Sequence, residues 1–291
     1  PMKKRFLYFV FYLLSIIPVA GQRTFLDSLK NEVAISENDT IKLIRLRNLE
    51  RTYSEINPDS AFSYAEKLLE VSQKLNFKLD EVNALREKGY ALMNMGNYPR
   101  SLQTVLAAIK IAEDPKSEQN ILTGDYHEDA LVVRKATPTN QRLTELAFTY
   151  QILAILYTNT KNYDKAVSQH LKARQTAEES GNVPLQSIIN MTLSRAYLNV
   201  NKKDSAFISL EKAYDQSMKV NYTRYLGSIL LNMGRIYASK GNKQLAVEYY
   251  KKAIIASANQ NYYPRGVVAG DLLLAEFYKQ AGKQDSSFYY I

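Results

Sequence analysis

Covalent chemistry needs nucleophiles, acids or metal ligands held close together, and this chain of 291 residues offers few of them. It has no cysteine, which excludes disulfides, thiol catalysis and cysteine-ligated zinc. Its two histidines, His127 and His170, stand far apart, so a histidine-rich metal centre is not expected. The stretch DYHED, Asp125 to Asp129, sets acids around one histidine. Such a group could hold a cation, but a loop gives it no fixed ligand geometry, and it reads as a solvated acidic loop. His170 takes a helix-packing position and reads as structural. No Gly-rich phosphate loop and no His-Glu-x-x-His pair occurs. Ser and Asp gather at the starts of predicted helices, where capping accounts for them. The residues present therefore predict no catalysis, no cofactor and no metal.

The totals bound the rest. The chain is 46% hydrophobic and 23% charged, enough apolar material for a continuous core. Only 11 Gly and 8 Pro are present, which favours helices over a turn-rich β fold. The formal charge is +9, and Lys3, Lys4 and Arg5 carry three units of it. The other basic residues are spread among acids with no block of five like charges, so no nucleic-acid surface is expected.

The first segment reads as an address. From Met2, MKKRFLYFVFYLLSIIPVAGQ has a basic start, an apolar run from Phe6 to Ala20 and then small residues, the layout of a secretory signal. Val19 and Gly21 suit cleavage before Gln22, which makes residues 1–21 the signal peptide. The apolar run is 15 residues, short of the ~20 needed to span a bilayer. An uncleaved anchor is the alternative.

A repeat fills the remainder. In LLNMGRIYASKGNKQLAVEYYKKA, residues 230–253, Leu230, Met233, Gly234 and Tyr237 share one helical face. SKGN breaks that helix, and Ala246, Tyr250, Ala253 and Ile254 mark one face of a second. The pattern recurs 40 residues earlier with Leu193, Ser194, Tyr197, Ala206, Leu210 and Ala213, and again with Leu153, Ala154, Tyr157, Ala166, His170 and Ala173. Leu85, Gly89 and Leu92 with Ser101, Val105 and Ala108 form a copy before an insert. Leu46, Leu49 and Tyr53 with Ala61, Ala65 and Leu68 form the first. Leu274, Ala275 and Tyr278 with Ser287 and Ile291 form the last. Gly89, Ala154, Ser194, Gly234 and Ala275 fall where paired helices must approach closely; Glu50 stands there in the first copy. Asp39-Thr40, Asp59-Ser60, Asp204-Ser205 and Asp285-Ser286 are predicted helix starts, and Gly96-Asn97, Gly181-Asn182 and Gly241-Asn242 predicted turns.

The pattern resembles the tetratricopeptide repeat, whose large residue, Leu-Gly, Tyr, Ala and Phe positions are read here as Leu230, Met233-Gly234, Tyr237, Ala246 and Tyr250. The period is longer, 40 residues rather than about 34. The resemblance implies an all-α solenoid, a right-handed superhelix of about six helix-turn-helix repeats. The division is a lead-in over 22–39 and an array over 40–291, with repeats at about 40–78, 79–113, 141–182, 183–222, 223–262 and 263–291. An insert covers 114–140 and is expected to be a loop with a short ALVVRK element.

The resemblance also implies a concave face, lined by the first helix of each pair, that binds a peptide or protein segment. Carried onto this chain, one groove position holds Arg51, Tyr90, Ile155, Arg195, Arg235 and Glu276, and one turn further lie Asn94, Asn159 and Asn199. Arg195 and Arg235, with Asn199, could hold a carboxylate through charge-assisted hydrogen bonds. Solvated arginines, or arginines paired with local acids, are the plainer alternative.

The signal segment, NDTIKLIRLRNL, NPDSAFSYAEKLLEVSQKLN and the long repeats resemble the exported regions of tetratricopeptide regulators of Bacteroidota. This implies a periplasmic sensor or interaction region, with a membrane helix and a histidine-kinase or DNA-binding output domain beyond residue 291. The closing stretch AGKQDSSFYYI reads as a second helix cut short and frayed. Two alternatives stand beside this: an exported adaptor for protein–protein interaction, and a cytosolic peptide-pheromone receptor, against which the signal segment argues.

Overall fold

The computed structural model describes residues 25–54, 56–122, 136–258, 264–280 and 282–290. The signal segment, the DYHED stretch and ALVVRK lie outside them. Helix α1 occupies 25–34, followed by α2 (Asp39–Ser54), α3 (Pro58–Lys74), α4 (Lys78–Asn94) and α5 (Tyr98–Glu113). Then come α6 (Pro138–Asn159), α7 (Tyr163–Glu179), α8 (Val183–Asn199), α9 (Lys203–Lys219), α10 (Leu226–Ser239), α11 (Lys243–Ala258), α12 (Pro264–Gln280) and α13 (Gln284–Tyr289). Among the described residues there is no strand, and no helix is long and apolar enough to cross a membrane. The chain divides after Leu122 into two compact units, α1 to α5 and α6 to α13, each a run of helices packed on their sequence neighbours.

Each pair closes where the sequence places small residues. A Cβ on Gly89 would meet Val105 Cγ2 at 2.5 Å, and one on Gly234 would meet the Tyr250 ring at 2.6 Å. The bare glycine lets the two helices touch without displacing a side chain. Serine adds a directional bond at this seam: Ser101 Oγ donates to the Gly89 carbonyl at 2.7 Å, and Ser287 Oγ to the Ala275 carbonyl at 2.8 Å. Stacked tyrosines join the helices of three pairs: Tyr53 on Tyr64, Tyr237 on Tyr249 and Tyr278 on Tyr290, with centroids 5.2, 5.2 and 5.8 Å apart.

The Gly-Asn turns do two tasks in two residues. Gly96 and Gly241 take φ of 78° and 80°, the left-handed conformation that ends a helix at low cost in glycine. The following amide closes the motif, Asn97 N–H donating to the Leu92 carbonyl at 2.8 Å and Asn242 N–H to that of Tyr237 at 2.9 Å. The asparagine side chain then caps the next helix, Asn97 accepting from Arg100 N–H at 3.4 Å and Asn242 from Leu245 N–H at 3.2 Å. Asn76, Lys161, Asn201 and Asn221 take the left-handed position at other turns.

Caps depart from the sequence expectation. Asp39 opens α2 as expected, although Asn38 supplies the capping oxygen, 2.8 Å from Thr40 N. The start expected at Asp59-Ser60 lies earlier: α3 begins at Pro58, and Asn57 accepts from Ser60 N–H at 2.9 Å. Likewise α9 begins at Lys203 and α13 at Gln284. Asp59, Asp204 and Asp285 sit inside the first turn, where a carboxylate complements the helix dipole.

The lead-in is a capping element. Leu26, Leu29 and Val33 of α1 pack on the cluster of Leu49, Tyr53 and Ala61. Arg45 ties α2 back to the α1 end through Glu32 O at 2.7 Å and Ser36 Oγ at 2.9 Å. The first part of the insert packs on unit 1: Pro115–Glu118 form a 3-10 turn, Leu122 is buried, and Asn120 Nδ2 donates to the carbonyls of Leu75 and Asn76 at 3.1 Å. At the far side α6 begins at Pro138 under a Thr137 cap, so residues 138–140 are helix.

Candidate functional site

The seven groove residues divide between the units. Arg51, Tyr90 and Asn94 lie in unit 1; Asn159, Arg195, Asn199 and Arg235 lie in unit 2. In unit 2, Arg195 and Arg235 are exposed at equivalent positions of α8 and α10. One helical turn before them, on the same face, Met191 and Leu231 are buried and belong to one apolar cluster. Each of these helices thus sets a guanidinium one turn above a residue of the buried core. Neither arginine is ion-paired with an acid among the described residues; Arg235 Nη1 meets only Asn232 Oδ1, at 3.3 Å. Asn159 and Asn199 are the last residues of α6 and α8, and Asn94 the last of α4; all three are exposed. Ile155 is half-buried and Glu276 exposed, so the row changes from apolar through basic to acidic between α6 and α12.

Beneath this surface, unit 2 is knitted by uncharged polar groups. Gln151 Nε2 donates to Thr192 Oγ1 at 3.5 Å, linking α6 to α8. Asn190 donates to Gln216 at 2.9 Å and Gln216 to Gln186 at 3.1 Å, linking α8 to α9. His170 of α7 is buried, and its Nδ1 has no hydrogen-bond partner. Burial, reinforced by the nearby charge of Arg195, lowers its pKa to about 3, so the ring is neutral at physiological pH. This agrees with its expected packing role.

Unit 1 presents different chemistry at the same helical positions. Arg51 is exposed and Tyr90 half-buried, but they border a charged interior. Arg47 Nη2 bonds Asp80, and Arg86 grips Glu87 through Nε at 3.1 Å and Nη2 at 2.7 Å. Glu50 fills the small-residue slot at 2% exposure, and its Oε1 has no partner. Burial and the Glu87 charge raise its pKa well above the usual carboxylate range, against the opposing pull of Arg86 and Arg51. The sequence singles out Glu50 at a close-approach position, but the reading of it above names none of Arg47, Asp80, Arg86 and Glu87. Their signal was present: Arg47 and Arg86 hold the repeat position that carries uncharged Gln151, Met191 and Leu231 in α6, α8 and α10. Among the described residues, no group of three His, Asp or Glu is arranged to hold a metal.

A family model described as "Tetratricopeptide repeat" matches residues 227–259, the α10–α11 pair with its seam glycine. Regulatory protein RapK of Bacillus subtilis (strain 168) is 27% identical over 198 residues, which cover 62% of this chain and 52% of RapK. The chain thus spans about half the length of that curated relative. A crystal structure of a Rap protein complexed with competence and sporulation factor superposes with a TM-score of 0.62 at 15% identity, covering 95% of this chain and 70% of that one. A signal-transduction ATPase with a tetratricopeptide repeat sensor, from Pyrococcus horikoshii, gives a TM-score of 0.57 at 20% identity, covering 95% and 40%. At these identities the superpositions show the shared fold.

Proposed function

We propose, from the premise that this chain is an array of tetratricopeptide repeats, that it is a non-catalytic scaffold holding a peptide or protein segment on its first helices. The observation that carries this reading is the pair of exposed arginines, Arg195 and Arg235, neither paired with an acid among the described residues, each one turn above a buried apolar residue. That arrangement suits a segment with acidic side chains spaced along an apolar strip. Asn199 and Asn159, at the helix ends, add side-chain amides for the peptide backbone. The test is fluorescence anisotropy with a panel of acidic-apolar peptides against the parent and the Arg195→Glu/Arg235→Glu variant. Loss of two charge-assisted bonds should weaken binding by at least about 100-fold. Equal affinity for parent and variant would overturn the groove assignment.

The finer reading is that the array is the exported, periplasmic sensor or interaction region of a signal-transduction regulator. It is supported by the basic-then-apolar segment over 2–21 and by the likeness to a protein named as regulatory. Membrane attachment and an output domain in the full-length protein belong to the same proposal. Cell fractionation with N-terminal sequencing tests the export step: a periplasmic chain beginning at Gln22 is expected, and a cytoplasmic chain retaining residues 2–21 would overturn it.

A further inference from the structure

Unit 1 holds a cleft that none of the candidate groove residues lines. Between α1, α2 and α3 lies a cleft of about 460 Å³, within the range of small-molecule sites. Its accessible apolar lining comes from half-buried Val33 and Tyr64 and exposed Ala34; Leu46, Leu49 and Val71 also border it but are buried. Four lysines, Lys30, Lys42, Lys67 and Lys74, also line it, against two acids, Asp39 and Glu70. Local partners neutralise part of this charge. Lys74 Nζ is 2.6 Å from Asp39, and Lys30 Nζ is 3.3 Å from Asp27. Lys67 lies over the Tyr64 ring at 5.1 Å, which attracts the cation without cancelling its charge. Lys42 is half-buried and meets no acid among the described residues. Glu70 is exposed and pairs with none of the four.

A half-buried lysine beside an apolar lining is complementary to one kind of ligand, an apolar body ending in an anion. A purely apolar ligand would leave Lys42 to be desolvated without compensation. A strongly hydrated inorganic anion would leave the apolar lining unused. We propose that the cleft under α1 binds an amphipathic carboxylate, with its apolar part on Val33, Ala34 and the Tyr64 ring and its carboxylate on Lys42 and Lys67. Free fatty acids and the C-termini of peptides ending in an apolar residue share this chemistry.

The experiment titrates the whole chain by calorimetry with decanoate, below its micelle concentration, and with N-acetyl-Ala-Leu. Decanol and the C-terminal amide of the dipeptide are the uncharged controls. Saturable binding of decanoate, the dipeptide acid or both is expected, and the two arms identify the source. Each uncharged control should bind at least about tenfold more weakly. Lys42→Ala should abolish that preference while Lys42→Arg keeps it, with unchanged helical circular dichroism in both. The Arg195→Glu/Arg235→Glu variant should bind these probes like the parent, which separates this site from the groove. Failure of both acids to bind, equal binding of the controls, undiminished binding by Lys42→Ala or loss in the double-arginine variant would each overturn the proposal.

Discussion

In unit 1 the seam of the first pair holds a carboxyl group, Glu50, where unit 2 has Ala154, Ser194, Gly234 and Ala275. The contrast extends through both interiors. Glu50, Asp80, Glu81 and Arg86, all buried, lie in α2 and α4 of unit 1. The buried polar residues of unit 2, among those described, are Ser, Thr, Asn, Gln and one neutral His. One repeat pattern therefore tolerates two ways of filling a first helix. Charge pairing holds helices through a few directional contacts and fails when one partner is lost. Small-residue packing holds them by close approach and fails when volume is added. The two units should break under opposite perturbations.

Acid should expose the largest difference. His170 is held at a pKa of about 3, below its ordinary value near 6.5, so folding favours the neutral ring. Its contribution is intact above pH 6.5 and is lost as pH falls toward 3, about 3 kcal/mol by pH 4. Amide exchange resolved by unit at pH 7 and pH 4 should show α7 and its neighbours weakening. His170→Leu, which copies Leu210 at the equivalent position, should remove most of that loss. Next in size, Asp80→Ala should cost unit 1 about 2 kcal/mol in urea unfolding, because it removes the buried carboxylate that Arg47 bonds; the partial exposure of Arg47 keeps the cost below that of a fully buried pair. Gly234→Val should cost unit 2 a similar or slightly smaller amount, about 1–2 kcal/mol, through the Tyr250 ring at 2.6 Å.

The sign of the Glu50 effect is opposite to that of His170. Its folded pKa is raised, so its contribution is present below the ordinary carboxylate value and is lost as pH rises through the raised one. Within that window the slope is at most about 1.4 kcal/mol per pH unit. Glu50→Gln should flatten the pH dependence of exchange in α2 and α4; an unchanged slope would remove Glu50 from the contrast. The smallest effect belongs to a turn. Lys161 holds φ at 60°, and Lys161→Gly should stabilise unit 2 by about 1 kcal/mol, read as a raised Tm.

Much of this architecture was legible because it is local. Met233-Gly234, Tyr237 and Ala246 report a helix face and a close approach by their spacing alone, and Gly241-Asn242 reports a turn by its chemistry. The helix-start assignment missed by one or two residues because Asp and Asn both cap in principle, and sequence does not say which asparagine oxygen reaches an amide. The charged interior of unit 1 was read only as an irregularity at Glu50. Ion pairing across α2 and α4 links Arg47 to Asp80, 33 positions away, and periodicity within one helix carries no such information. For the groove, the 40-residue spacing placed Arg195 and Arg235 at equivalent positions, but that neither pairs with an acid among the described residues needed coordinates. The cleft under α1 was invisible for the same reason: it exists only where three helices meet.

The stacked tyrosines have a practical consequence. The chain has 22 tyrosines and no tryptophan, so its near-ultraviolet absorption is set by phenol rings. Tyr53–Tyr64 and Tyr237–Tyr249 stack at 5.2 Å with interplanar angles of 19° and 23°, one pair in each unit. Rings this close and this nearly parallel couple their transitions. The protein therefore carries a label-free chiroptical reporter on the seam of each unit, readable while a ligand is added or the pH is changed.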